Sequence, residues 1–370
     1  MIYLDYNATT PLDPRVLEAM LPFLRERFGN ASSRHHALGC EAATAVETAR
    51  AQVAAVIRAD PREIVWTSGA TESVNLAIKG VLGLKPGGHV VTAATEHRAV
   101  LDACEHLESK GARVTYLRVN PDGTLDLDRL SSAITDKTVL VSLMHANNET
   151  GVLHPLREIG ALCKARGVLF HTDATQTFGK EPIDVQADGV DLLSLSAHKV
   201  CGPKGVGALH VRRKDPRVRL EPLLHGGGHE KGLRSGTLNV PAIVGLGAAA
   251  EIAERERAVE QPRIAALRDR LEAALVAAGA VVNGRRERRL SGTTNLGFPG
   301  VDGDALMKRM PDVAVSSASA CTSAQLQPSY VLGAMGLPED RIRCSVRFSL
   351  GRFTTSAEIE TAIARTLAAR

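Results

Sequence analysis

The sequence lacks the features that mark secreted, zinc-binding and membrane-spanning proteins. Its 370 residues include only six cysteines, so scattered that no CxxC pair occurs. This pattern predicts neither a disulfide framework nor a zinc site, and it favours reduced thiols in a reducing compartment. No apolar run is long enough to span a bilayer, and the first five residues lack the layout of a signal peptide. We therefore expect a soluble, cytoplasmic protein with no membrane partner.

An excess of charge of one sign is also missing. The formal net charge is only +4, and the dense basic run Arg285–Arg289 is interpreted as part of a solvated loop. The composition therefore gives no reason to expect a nucleic-acid partner. Internal repeats and low-complexity segments are absent as well. A hydrophobic content of 44% over this length is enough for one large domain and a smaller one.

Short apolar runs alternate with helical patterns through the first part of the chain. Such alternation with short connections predicts an α/β fold, in which a mostly parallel mixed sheet of seven strands is covered by helices. The predicted strands are 64–66, 89–91, 113–119, 139–144, 168–171, 190–195 and 206–211, and the helices among them are 70–82, 98–110, 125–134 and 156–166.

The alternation of short apolar runs with helical patterns ends after Leu238. A long helical pattern rich in Ala, Glu and Arg runs from 241 to 279, and Pro262 is expected to kink or divide it. Shorter elements follow, and Thr355–Glu358 fits a capping box at the start of the last helix. We place the domain boundary within the long helix. Residues 13–250 would form a large domain, and 251–370 would form a smaller α+β domain onto which residues 1–12 fold back.

Lys199 stands between two apolar runs, in a Gly- and Pro-rich turn that spans residues 194–207. Burying an ammonium group there without a partner would cost roughly several kcal/mol of folding free energy. One interpretation is that the side chain reaches solvent from a strand end, as an isolated lysine usually does. The other is a desolvated amine that forms a Schiff base with an aldehyde.

Polar residues follow several predicted strands at their carboxyl ends, where ligands bind in open α/β sheets. As one site they would offer a helix start suited to a phosphate, Ser68–Thr71, and a buried acid, Asp173, suited to a protonated ring nitrogen. Each segment alone is also consistent with an ordinary cap or loop. A phosphate site, an acid for a ring nitrogen and a lysine for an aldehyde together describe pyridoxal phosphate. The segments are 67–72, 95–97, 145–149, 171–176 and 196–199.

The same segments, in the same order, resemble the class V, fold-type I pyridoxal-phosphate enzymes, specifically the cysteine desulfurases of the NifS/IscS kind. The similarity extends over nearly the whole chain. The segments that show this similarity are Leu4–Pro11, Thr67–Ser73, Thr95–His97, Asn147–Gly151, Thr172–Gln176, Ser196–Lys199, Gly202–Gly205, Arg234–Thr237, Ser317–Ser323 and Arg347–Gly351.

The resemblance implies a role for each matching residue. Lys199 would hold the cofactor as a Schiff base and move the substrate's α-proton, while His97 would stack on the ring and relay the thiol proton. Asp173 would contact the ring nitrogen of the cofactor, and Gln176 would contact its phenolate oxygen. Asn148, close to both cofactor and substrate, and Arg347 would bind the substrate carboxylate. The residues implied at the phosphate are Ala70, Thr71, Ser196 and His198, together with Thr237, which would reach the phosphate of the neighbouring subunit in a homodimer.

The resemblance makes Cys321 the nucleophile that takes sulfur from L-cysteine, leaving L-alanine. Small residues surround it, which fits a mobile loop better than a core strand. The persulfide would pass to an acceptor protein, such as an iron–sulfur scaffold or a thiolation partner, with Cys321 as a possible transient cluster ligand and no intrinsic metal site. Three departures affect this expectation: Cys201 beside Lys199, Ala318 where glycine is usual, and the short C-terminus at Arg370.

Two alternatives remain open at this point. Another enzyme of the same fold, such as a selenocysteine lyase or an aminotransferase, would use the same cofactor residues. An adaptor protein that has lost catalysis would belong to a different class, although the intact set of Lys199, Asp173, His97 and Cys321 disfavours it.

Overall fold

The structure, a computed structural model, describes residues 1–317 and 328–370. Cys321 and Ala318 lie outside the described residues. Within the described ranges, no helix is both long enough and apolar enough to cross a membrane. The strands are β1 (Ile2–Tyr3), β2 (Ile64–Thr67), β3 (His89–Ala93), β4 (Arg113–Leu117), β5 (Thr138–Ser142), β6 (Leu169–Asp173), β7 (Leu192–Ser196), β8 (Gly207–Val211), β9 (Val281–Asn283), β10 (Thr293–Gly297), β11 (Val313–Ala314), β12 (Ser316–Ser317) and β13 (Ser345–Ser349).

The helices enclose a large sheet and a smaller one. They are α1 (Pro14–Arg25), α2 (Ala37–Val56), α3 (Ala70–Gly83), α4 (Arg98–Glu108), α5 (Leu127–Ala133), α6 (Leu156–Ala165), α7 (Val240–Ala277), α8 (Gly303–Arg309), α9 (Tyr330–Ala334), α10 (Glu339–Arg343) and α11 (Ser356–Ala369). Side chains that accept backbone N–H groups begin several of them. Asp13 caps α1, and Thr355 with Glu358 forms the predicted capping box of α11.

The large sheet confirms the predicted fold class. It has seven strands in the order β2-β8-β7-β6-β5-β3-β4, and the pairs from β4 to β7 are all parallel. Strand β8 is antiparallel to both of its neighbours, β2 and β7, so the sheet is mixed but mostly parallel. Apolar clusters pack its two faces, because strands covered by helices on both sides bury alternate residues in both directions.

The C-terminal part has its own sheet and its own apolar cluster. Its strands lie in the order β12-β13-β10-β9 and are antiparallel, and α11 with the end of α7 covers them. Residues 313–317 are divided between two sheets, because β11 pairs with β1 while β12 pairs with β13. Residues 2–5 lie against this part of the chain. The division at residue 250 stays a prediction.

Pro262 does not divide the long helix, although the sequence predicted that it would either kink or divide it. Helix α7 runs through it over 38 residues. A proline inside a helix removes one hydrogen bond and costs about 3 kcal/mol. Helix α7 packs against α1, α2 and α11, and that tertiary packing offsets the cost.

A row of three buried polar side chains crosses the large sheet beneath the carboxyl ends of its strands. The His171 ring, on β6, bonds Ser142 Oγ through Nδ1 at 2.8 Å and Ser194 Oγ through Nε2 at 2.9 Å. None of the three side chains is exposed, and burial lowers the pKa of His171 to about 4. The ring is therefore neutral at pH 7 and serves as both donor and acceptor.

Replacing His171 with leucine is expected to lower the free energy of unfolding by about 2–5 kcal/mol, because two buried hydroxyl groups lose their partner. Denaturant unfolding followed by circular dichroism measures this change. The triple variant Ser142→Ala/His171→Leu/Ser194→Ala removes the unpaired hydroxyls and is expected to recover much of the loss. A triple variant less stable than His171→Leu would contradict this account.

Candidate active site

A cavity of about 580 Å³ opens at the carboxyl ends of the parallel strands. It collects residues that are far apart in the sequence, since each follows a different strand or begins a helix. Nine of the ten residues predicted to bind the cofactor line it: Ala70, Thr71, His97, Asn148, Asp173, Gln176, Ser196, His198 and Lys199. Its size is that of a site for a small molecule or cofactor.

One end of the cavity is suited to an anion. Helix α3 begins there after Gly69, which has φ 153° and offers no side chain to cap the helix. The first N–H groups of α3 therefore point toward the cavity with the positive end of the helix dipole. A Cβ on Gly69 would lie 3.8 Å from Ser196 Oγ, so the hydroxyl stands beside the same turn. The backbone N–H groups and this hydroxyl form a set of donors on one side.

Lys199 ends a short 3₁₀ turn that follows β7. Its Nζ donates to the carbonyl oxygens of Ala8, at 2.7 Å, and of Asn7. The N-terminal segment thus lies directly against the lysine. Neighbouring His198 bonds Thr9 Oγ1 at 3.1 Å, and burial followed by nearby lysines lowers its pKa to about 4. The ring is therefore neutral at pH 7.

Asp173 and Gln176 stand at the end of β6. Asp173 is 7% exposed, and its Oδ1 accepts the backbone N–H of Thr175 at 2.9 Å, which fixes the carboxylate at the cavity wall. Gln176 Nε2 donates to Asn7 O at 3.0 Å. Both side chains are held by the backbone of neighbouring loops, so their orientation is set before any ligand binds.

His97 caps helix α4. Its Nδ1 accepts the backbone N–H of Ala99 at 3.1 Å, so a neutral ring carries its proton on Nε2. Burial lowers the pKa of His97, Lys199 contributes in the same direction, and Asp173 opposes both. The ring is therefore neutral at pH 7, with one nitrogen committed to the helix and the other available to the cavity.

Arg347, the residue predicted to bind the substrate carboxylate, lies one contact beyond the cavity wall. It is 3% exposed, and its Nη1 donates to the backbone oxygen of Asn148 at 3.0 Å. Its Nη2 donates to Asp5 Oδ1 at 2.7 Å. The guanidinium is therefore already paired with a carboxylate from the N-terminal segment.

Thr237 lies apart from the other predicted residues. It is exposed and does not line the cavity. Sequence reasoning also missed several residues that contact the site, namely Asn7, Ala8, Thr9 and Lys204. The motifs Leu4–Pro11 and Gly202–Gly205 contain all of them, but an extended N-terminal segment gives no signal of where it packs.

Comparisons with known proteins show the family of this chain. The aminotransferase class-V family matches residues 2–361. A cysteine desulfurase IscS from Anaeromyxobacter sp. (strain Fw109-5) is 58% identical over 363 residues, which cover 97% of this chain and 90% of that protein. A solved NifS-like protein superposes with a TM-score of 0.93 at 38% identity, covering 99% of this chain and 98% of that one. A structure of SspA in complex with cysteine gives a TM-score of 0.83 at 38% identity, covering 96% and 100%.

A mostly parallel seven-stranded sheet with a lysine-bearing cavity at its carboxyl edge is the architecture of fold-type I enzymes, which depend on pyridoxal phosphate. The chain belongs to the class-V aminotransferase family, in its branch of cysteine desulfurases.

The residues at the cavity fit that cofactor. Three residues that line it each have a buried side-chain oxygen with no hydrogen-bond partner within residues 1–317 and 328–370: Asn148 Oδ1, Thr175 Oγ1 and Gln176 Oε1. Buried polar atoms are rarely left in this state, which is consistent with a polar ligand at this cavity. The open α3 terminus suits a phosphate, Asp173 suits a protonated ring nitrogen, and Lys199 suits an aldehyde carbon.

Proposed function

We propose that this chain is a cysteine desulfurase that converts L-cysteine to L-alanine and places the sulfur on Cys321 as a persulfide. The observation that carries the proposal is the convergence of Lys199, Asp173 and His97 on one cavity in a chain of this family. The reaction balances, because Cys321–SH and L-cysteine contain the same atoms as Cys321–S–SH and L-alanine.

The cavity residues would hold pyridoxal phosphate through distinct groups. Lys199 would bond its aldehyde carbon, Asp173 would pair with its ring nitrogen, and His97 would stack on its ring. When bound, the cofactor supplies an electron sink for the pair left when the substrate's α-proton is removed. The remaining contacts are Gln176 and Asn148 beside the ring, Ala70, Thr71, Ser196 and His198 at the phosphate, and Thr237 from the neighbouring subunit of a homodimer.

The protein's own groups orient the substrate and move its protons. Arg347 and Asn148 would bind the carboxylate, since a guanidinium is a permanently charged donor to carboxylate oxygens. The Lys199 amine would be the base for the α-proton. His97 would accept and return the thiol proton through Nε2 as the tautomer with its own proton on Nδ1, which gives up the hydrogen bond from Ala99 N. The Cys321 thiolate would attack the substrate sulfur, and the bond from that sulfur to Cβ would break. Cβ would keep the electron pair of that bond and take up a proton, which gives the methyl group of L-alanine.

Sulfur then leaves the protein through the persulfide. We propose that an acceptor protein, such as an iron–sulfur scaffold, takes the outer sulfur from Cys321. Cys201 does not compete as a nucleophile, because burial raises the pKa of its thiol.

Replacing Cys321 with alanine is expected to abolish steady-state production of L-alanine from L-cysteine, by at least about 10³-fold, while the visible spectrum of the bound cofactor is retained. Alanine and sulfide assays under reductant, run beside the spectrum, measure both. Cys40→Ala is the matched control, because Cys40 is an exposed free cysteine away from the cavity. Full turnover in the Cys321→Ala protein would overturn the proposal.

A further inference from the structure

The carboxylate of Asp5 forms an ion pair with the guanidinium of Arg347. The Asp5 Oδ1 accepts from Arg347 Nη2 at 2.7 Å and also from Ser316 Oγ at 3.0 Å. Ser316, on β12, lies directly opposite Arg347 on β13. The carboxylate thus contacts both members of a cross-strand pair. In this ion pair the side chain of Arg347 is 4% exposed and that of Asp5 is 18% exposed.

The backbone fixes the position of Asp5. Its neighbours form a short ladder with β13, in which Ser349 N donates to Leu4 O at 2.8 Å and Tyr6 N donates to Ser349 O at 3.1 Å. The hydroxyl of Tyr3 donates to Asp5 O at 3.0 Å. Because hydrogen bonds hold the residue on both sides, the ion pair is part of the fold and does not depend on one flexible side chain.

Arg347 nevertheless keeps an unused donor. Its Nε is buried and has no hydrogen-bond partner within the described ranges of the chain. A substrate carboxylate at this guanidinium could therefore accept a hydrogen bond from Nε. The positive charge of the guanidinium, however, is already balanced by Asp5. A second carboxylate close to the first also repels it. Asp5 thus weakens the binding of any carboxylate at this position.

We propose that Asp5 is a positioning residue that attenuates the affinity of Arg347 for carboxylates, so that the product L-alanine leaves readily. The inference rests on the proposed function, in which Arg347 binds the carboxylate of the substrate. It assigns to Asp5 an electrostatic effect on binding and no contact with the reacting atoms. Uniformly tight binding of substrate and product would lower the KM without raising kcat, and it would slow product release.

The test is Asp5→Asn, which keeps the shape of the side chain and an oxygen that can accept from Arg347 and Ser316. Removing the charge is expected to lower the Kd for L-alanine, measured by calorimetry on the cofactor-loaded protein, by about tenfold. The KM for L-cysteine is expected to fall in parallel. Cysteamine, which is cysteine without its carboxylate, is the control ligand, and its affinity is expected to stay within twofold.

The possible results distinguish a failure of the role proposed for Asp5 from a failure of the proposed function. A merely structural role for Asp5 would raise the Kd for L-alanine in the Asp5→Asn protein, or change cysteamine binding equally, and either result overturns the inference. Arg347→Gln is expected to weaken L-alanine binding by at least tenfold and to leave cysteamine unaffected. If Arg347→Gln leaves L-alanine binding intact, the assignment of Arg347 under the proposed function fails instead. Urea unfolding confirms that each variant is folded.

Discussion

Replacing Lys199 with arginine is expected to lower desulfurase turnover by about 10²–10⁴-fold, the usual cost of losing a general acid or base. Arginine keeps the positive charge and can still donate to the carbonyls of Asn7 and Ala8. It cannot lose its proton near neutral pH, so it neither bonds an aldehyde carbon nor accepts the α-proton. The variant therefore separates the charge of Lys199 from its chemistry.

Borohydride reduction gives a measurement that does not depend on turnover. In the wild-type protein it is expected to attach the cofactor irreversibly to the peptide that contains Lys199, and mass spectrometry detects the added mass. The Lys199→Arg protein is expected to carry no such label. Lys204 lines the same cavity, so a label found on Lys204 in the wild-type protein would show that the lysine has been assigned wrongly.

Replacing Asp173 with asparagine is expected to lower turnover by about 10²–10³-fold, comparable to the loss of one preorganised electrostatic group. The asparagine oxygen can still accept the N–H of Thr175, so the local structure is retained. The loss comes from the charge, because a carboxylate favours a protonated ring nitrogen and a neutral amide does not. Steady-state alanine production and the spectrum of the bound cofactor are the measurements.

Asp191→Asn is the matched control for that prediction. Asp191 is also a buried carboxylate, but it precedes β7 at the opposite end of the sheet and pairs with Arg212 at 3.0 Å. Its loss is expected to reduce stability while leaving the turnover per folded molecule within about threefold. If the two variants lose turnover equally, the effect at Asp173 is one of folding and not of the ring nitrogen.

Much of the cavity was predictable because of one physical regularity. Parallel strands bring their carboxyl ends to the same edge of a sheet, so polar residues after each strand converge there. Residues such as Asp173 and Lys199 could therefore be assigned to one site from short motifs and the strand pattern. The same regularity gives no information about segments outside the alternation, and for that reason Asn7 and Ala8 were missed as partners of Lys199.

The sequence by itself determined the mostly parallel sheet, the family and the set of chemical groups. These follow from local patterns: apolar runs of strand length, helical periodicity and motifs a few residues long. Only the tertiary structure decided that Pro262 stays within an unbroken α7, that β11 and β12 join different sheets, and that Asp5 pairs with Arg347 across 342 positions of sequence. Those features depend on packing between distant segments, and the free energy of such contacts appears in no local pattern.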